Sequence, residues 1–126
     1  MTARHVLIID DDEIVRVLLH HIFIDLGFKV SRAKDGWVGL KKLKEKTFDL
    51  VVTDIYMPRA DGIEVVKTIT RQATRPKIIV ITGGSDFLDS QFALKTLRHL
   101  GADCILNKPL TKNRIVTAIQ EICRHD

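Results

Sequence analysis

The pattern that most restricts what this chain can fold into is a repeated exchange between two apolar periodicities. Short unbroken aliphatic runs occur at Val6-Leu7-Ile8-Ile9, Leu50-Val51-Val52 and Ile78-Ile79-Val80-Ile81, each too short for a helix and rich in β-branched residues. Apolar side chains at both alternating positions describe strands covered on both faces, the condition of a parallel sheet. Weaker strands are expected at Phe28 to Arg32 and Cys104 to Asn107, where a less uniform pattern suits sheet edges. Between the runs the period changes. Ile14, Val15, Leu18, Leu19, Ile22, Phe23 and Leu26 recur at helical spacing, and Gly27 supplies the stop. Trp37, Leu40 and Leu43 mark a second helix, Ile63, Val66 and Ile69 a third, Phe92 and Leu100 a fourth, and Ile115, Ile119 and Ile122 a fifth. Five strand–helix units in succession predict a doubly wound α/β domain with helices on both faces of one sheet.

A length of 126 residues suits one domain of ordinary size and a core that needs no disulfide staples. Cys104 and Cys123 make neither a disulfide framework nor a zinc site, and fit a reducing cytosol. No segment reads as a signal peptide or approaches membrane-spanning length, so a cytoplasmic location without membrane contact is expected. The net charge of +4 raises the question of nucleic acid. The densest basic run, Lys41-Lys42-Leu43-Lys44-Glu45-Lys46, carries an apolar residue at its centre and reads as the solvated face of an amphipathic helix. No aromatic residues interleave with it, and no nucleic-acid-binding motif is present, so direct nucleic-acid binding is not expected. His5, His20, His21, His99 and His125 show no ligand spacing and are expected at the surface.

In doubly wound sheets, ligands bind beyond the carboxyl ends of the strands. There the chain places Asp10-Asp11-Asp12, Thr53-Asp54, Thr82-Gly83-Gly84 and Lys108-Pro109, in that order. Taken singly, each has an ordinary use. Asp12, before Glu13, is the expected N-cap of the first helix, Asp54 could close a turn, Thr82 could serve the turn that follows it, and Lys108 could be a surface lysine. Their joint occurrence at one edge argues for a site. Crowded carboxylates repel one another unless a cation joins them, and Mg2+ takes one or two carboxylates with waters and a phosphate. With a lysine for an anionic oxygen and a hydroxyl beside it, an aspartate there is a credible phosphoryl acceptor.

These residues resemble the receiver domain of response regulators from two-component phosphorelays, of the chemotaxis-regulator type. The resemblance covers essentially the whole chain. It rests on Val6-Leu7-Ile8-Ile9-Asp10-Asp11-Asp12, Asp54-Ile55-Tyr56-Met57-Pro58 with Asp61-Gly62, Ile81-Thr82-Gly83, and Gly101-Ala102-Asp103 through Lys108-Pro109. It implies a flavodoxin-like fold of five parallel strands in the order 2-1-3-4-5 with five helices, residues 1–126 forming a single receiver domain with no output domain. It further implies Asp54 as the phosphorylated residue. Asp11 would ligate Mg2+ directly, Asp10 mainly through a coordinated water, Asp54 by its carboxylate and Tyr56 by its backbone carbonyl. Lys108 would pair with the acceptor carboxylate and then the phosphoryl group, its bond to Pro109 typically being cis, and Thr82 would bond a phosphoryl oxygen in the active state. The chain would be a regulatory phospho-acceptor, not an enzyme acting on other substrates, that catalyses its own phosphorylation and dephosphorylation. The implied partners are a sensor histidine kinase or histidine phosphotransfer protein, docking on whichever of Ile14, Val15 and Leu18 do not face the core, and a downstream protein target or a second copy through the fourth and fifth helices.

The chain departs from the family pattern at several points. Many receivers carry an aromatic residue three positions before the lysine, where Ile105 stands here, so a different or partial rearrangement is expected on activation. Tyr56 stands two residues after Asp54, and Gly84 two after Thr82, which predicts an altered lifetime of phospho-Asp54. Tyr56 also stands where phosphatases of the haloacid dehalogenase type need a second acid. A flavodoxin-type flavin site is disfavoured by the acids at the first strand end. Trp37 is expected half-buried at a helix start, and Phe87 and Phe92 as packing residues of the fourth helix.

Overall fold

The structure is a computed structural model that describes residues 4–55, 62–83 and 91–123, with the side chains of 91–94 excepted. Its elements alternate without exception: β1 His5–Ile9, α1 Glu13–Asp25, β2 Lys29–Ala33, α2 Gly36–Glu45, β3 Leu50–Asp54, α3 Gly62–Thr70, β4 Lys77–Thr82, α4 Gln91–Leu100, β5 Cys104–Asn107 and α5 Lys112–Cys123. All strand pairs are parallel, in the order β2-β1-β3-β4-β5. The doubly wound α/β sheet expected from the sequence is therefore present, with the two weaker strands at its edges.

The two-residue period of the strands decides which layer each side chain joins. Leu7, Ile9, Val51, Ile78 and Val80 pack with Val65, Val66 and Ile69 of α3 and Leu97 of α4, with Val38, Leu40 and Leu43 of α2 against them. Val6, Ile8, Val52, Ile79 and Ile81 face the other way, onto Leu19, Ile22 and Phe23 of α1 and Ile115, Ala118 and Ile122 of α5. Each cluster is a sheet face covered by helices, which is why the three central runs are apolar throughout.

Local chemistry sets the element ends. Asp12 caps α1 by accepting from the Ile14 N–H at 2.9 Å, and Asp35 caps α2 from Val38 N–H at 2.9 Å. Gly27 follows α1 with φ of 88°, a conformation costly for any side chain. Of the basic run, Lys41 and Lys44 are exposed, while Lys42 donates to the Arg32 carbonyl at 2.6 Å and Leu43 packs inward.

Two expectations need correction. Trp37 is not half-buried but 67% exposed, because the stripe of α2 facing the sheet runs through Gly36, Gly39 and Leu43. Trp37 instead shares a face with Lys41 and Lys44, four and seven residues on. The histidines are not uniformly superficial either. His5 is half-buried, with a ring nitrogen 2.8 Å from Ser31 Oγ and its ring against Phe48, and His20 is also half-buried on α1. Phe87 and His125 lie outside the described residues, as does the side chain of Phe92.

Candidate functional site

Register brings the strand ends together. Ile9 pairs with Thr53, so Asp10 leaves β1 level with Asp54 at the end of β3. Asp54 pairs with Ile81, and Thr82 pairs with Asn107, which places Thr82 and then Lys108 one step further along the same edge. Four residues separated by nearly a hundred positions thus meet at one rim.

The contacts there are specific. Lys108 Nζ lies 3.7 Å from Asp54 Oδ2 and 3.8 Å from Asp10 Oδ2. Asp10, Asp54 and Thr82 are all buried, whereas Asp11 is exposed. Carboxylate oxygens of Asp10, Asp11 and Asp54 all lie within 4.8 Å of one another. Asp10 Oδ1 accepts the Asp12 N–H at 2.8 Å, but the buried Asp10 Oδ2 has no hydrogen-bond partner among the described residues. Burial pushes the Asp10 carboxyl up to about 6; the Asp12 N–H pulls against that shift, and the neighbouring Asp54 charge adds to it. A buried carboxylate oxygen without a hydrogen bond, beside two further carboxylates, is a site short of positive charge. A hard divalent cation that takes oxygen ligands fits it.

Because the folded protein favours neutral Asp10, this group costs stability once it must ionise. The cost is absent below about pH 4 and grows as pH rises through about 6. Asp10→Asn is accordingly expected to stabilise the metal-free protein by about 1–3 kcal/mol near neutral pH, with the gain vanishing near pH 4. Urea denaturation in chelator at both pH values measures it. A variant less stable than wild type near neutral pH would refute the assignment of strain to Asp10.

The frame around the cluster contains residues that motif reading did not single out. Arg16, on the first turns of α1, donates to the Asp10 carbonyl at 2.7 Å. A cation six residues after the acid gives no sequence signal for that contact. The Lys108 N–H donates to the Thr82 carbonyl at 3.0 Å, and the Lys108–Pro109 bond is cis. Asp103, quoted as part of a motif, accepts the Ile78 N–H at 2.7 Å and pairs with Arg75 at 3.2 Å, joining the approach to β5 to the start of β4. Ile105 is half-buried and packs on the cluster beneath α3 and α4. Of the docking candidates on α1, Ile14 is 79% and Leu18 42% exposed, while Val15 packs inward on the second cluster. Tyr56, Gly84 and the segment Met57, Pro58 and Asp61 lie outside the described residues.

The sheet order and the chain's sequence both have known relatives. The family model described as "Response regulator receiver domain" matches residues 6–120, and the chain belongs to that family. It is 32% identical over 120 residues to the probable chemotaxis protein CheY of Rhizobium etli, covering 93% of this chain and 90% of that protein. It is 31% identical to the alkaline phosphatase synthesis transcriptional regulatory protein PhoP of Bacillus subtilis, over 96% of this chain but 49% of that one. The chain thus spans about half the length of the transcriptional regulators it matches first. Among solved structures, chemotaxis response regulator CheY4 of Vibrio cholerae superposes with a TM-score of 0.85 at 27% identity, covering 96% of this chain and 99% of that one.

Proposed function

We propose that Asp54 accepts a phosphoryl group from a phosphohistidine donor protein in a Mg2+-dependent reaction, and that the modification switches this domain's protein contacts. The observation that carries the reading is the triangle of buried Asp54 and Asp10 with half-buried Lys108, closed by Lys108 Nζ at 3.7 and 3.8 Å. Asp54 Oδ attacks the phosphorus as the phosphorus–nitrogen bond of the donor breaks, the electron pair returning to the imidazole. The Lys108 ammonium offsets charge on the acceptor carboxylate and then on the phosphoryl oxygens. Asp10, Asp11 and Asp54, with the Tyr56 carbonyl, would hold Mg2+, which supplies charge neutralisation for the transferring group. Hydrolysis reverses the state: water cleaves the phosphorus–oxygen bond, returning the Asp54 carboxylate and inorganic phosphate. The chain is regulatory in this reading, catalysing reactions of its own aspartate only.

Residues 1–126 act as one receiver unit in the cytoplasm; no helix among the described residues is long and apolar enough to cross a membrane. The histidine kinase or phosphotransfer partner docks on the exposed Ile14 and Leu18 beside the rim, and the downstream target or second copy on α4 and α5. The test is incubation with a small phosphodonor and Mg2+ followed by intact mass. One labile phosphate, absent when chelator replaces the metal, is expected; an unmodified wild-type chain would overturn the reading.

Thr82, 4% exposed, is the switch residue in this scheme, its hydroxyl drawn to the new dianion and the start of α4 following it. Thr82→Ala is expected to take phosphate yet reduce the phosphorylation-induced amide shifts over Lys95 to Leu100 by at least about fivefold. Undiminished shifts in two-dimensional NMR would remove Thr82 from the coupling.

A further inference from the structure

Arg114 lies on the first turn of α5, outside the acidic cluster, yet its guanidinium is committed to the loop that carries Lys108. One terminal nitrogen donates to the carbonyl oxygens of Asn107 and Pro109, the latter at 2.6 Å, and the other donates to Asn107 Oδ1 at 2.9 Å. The two carbonyls belong to the residues immediately before and after Lys108. On the other side, the Lys108 N–H is tied to the Thr82 carbonyl at 3.0 Å. The backbone of Lys108 is therefore held between β4 and α5. Fixing that backbone narrows the range of positions that the long flexible stem can give Nζ beside Asp54.

The identity of the residue matters. A planar guanidinium engages three acceptors in one rigid fork, which an ammonium on a free stem does not. Helix stability is not what Arg114 serves, because a cation in the first turn opposes the helix macrodipole. Thr111 Oγ1 already accepts the Arg114 N–H at 3.2 Å, so the cap is made without the guanidinium.

We propose that Arg114 is a positioning residue for phosphoryl transfer, its guanidinium holding residues 107–109 in the conformation that presents Lys108 to Asp54. The proposal rests on the phospho-acceptor reading of Asp54 for its kinetic consequence, though not for its structural one. Arg114→Met keeps the length of the side chain and removes every donor; Arg114→Lys restores the charge without the fork.

The experiment follows the rate of phosphate incorporation from phosphoramidate with Mg2+ in wild type, Arg114→Met, Arg114→Lys, Lys108→Ala and the double variant Lys108→Ala/Arg114→Met. In parallel, the side-chain methylene resonances of Lys108 are recorded, assigned by their loss in Lys108→Ala. Arg114→Met is expected to slow transfer about tenfold with an unchanged fold, and Arg114→Lys to recover part of that loss. In the Lys108→Ala background the same substitution should change the rate by less than about twofold, because the group it positions is gone. The ordered Lys108 resonances of the wild type should collapse to those of a mobile lysine in Arg114→Met. A wild-type rate in Arg114→Met, or a full tenfold loss in the Lys108→Ala background, would overturn the proposal. A wild-type chain that takes no phosphate would instead refute the Asp54 reading, and the Lys108 resonances would still decide the positioning claim: unchanged in Arg114→Met, they sink it.

Discussion

Asp54→Ala is expected to take no phosphate at any donor concentration and to melt no lower than the wild-type chain in metal-free buffer. Asp54 is the acceptor in our reading because it combines contact with Lys108, a place at the end of a central strand and a side chain that keeps 7% exposure, where that of Asp10 has none. Asp10 also reaches Lys108, but it is wholly buried and its Oδ1 is bound to the Asp12 N–H, so it does not take over the reaction. The stability half of the expectation separates lost chemistry from lost fold. The Asp54 charge is one of the causes that hold the Asp10 carboxyl up near 6, and removing it lets Asp10 ionise at less cost. Stability near neutral pH should therefore be equal or higher, by about 1 kcal/mol. Asp54→Asn, which keeps the volume, should behave alike. Intact mass and thermal melting check both halves; residual labile phosphate on either variant would move the acceptor elsewhere.

Gly62→Ala should be among the most destabilising single changes available to this chain. A Cβ at Gly62 would lie 2.3 Å from the Asp54 carbonyl oxygen and 2.7 Å from Ile55 Cα, both backbone atoms at the end of β3. Backbone of a central strand cannot rotate aside as a side-chain tip would, so α3 must lift away from the sheet. The Gly62 N–H bond to the Ile55 carbonyl, at 3.1 Å, would be lost with it. A cost of about 3 kcal/mol or more is expected, with a melting temperature lower by on the order of 10 °C. Because the clash is with the carbonyl of Asp54 itself, phosphorylation should slow even where the variant remains folded. Calorimetry showing a melting point within about 2 °C of wild type would contradict the close approach.

Much of this was legible from the chain. The three central strands were marked by β-branched runs, and each grew by one or two residues in the structure because its flanking residues, His5, Thr53, Asp54, Lys77 and Thr82, continue the ladder without being aliphatic. Asp12 read as an N-cap and is one. Trp37 faces outward, against expectation, because periodicity shows that a helix has an apolar stripe without showing how it is rotated. On α2 the glycines mark the inner face: a Cβ on Gly39 would meet Ile9 Cδ1 at 2.4 Å. An aromatic beside such a close approach is displaced outward. Gly62 and Asp103 stand in recognisable motifs, but a motif carries neither the close approach nor the hydrogen bonds that explain them. Arg114 gave no signal, since its acceptors are mostly backbone carbonyls, which every residue has.

By itself the sequence determined the alternation of strands and helices, the two-sided burial of the central strands, and the gathering of carboxylates, hydroxyl and lysine at the strand ends. Those follow from local periodicity and from which residue succeeds each run. Only the tertiary structure decided that Lys108 lies between Asp54 and Asp10, that Asp10 is sealed from water with one oxygen lacking a hydrogen bond, and that Arg114 holds the lysine loop. Distances of a few ångströms between residues many tens of positions apart depend on strand register and helix rotation. These are settled by packing across the whole core, and no local pattern encodes them.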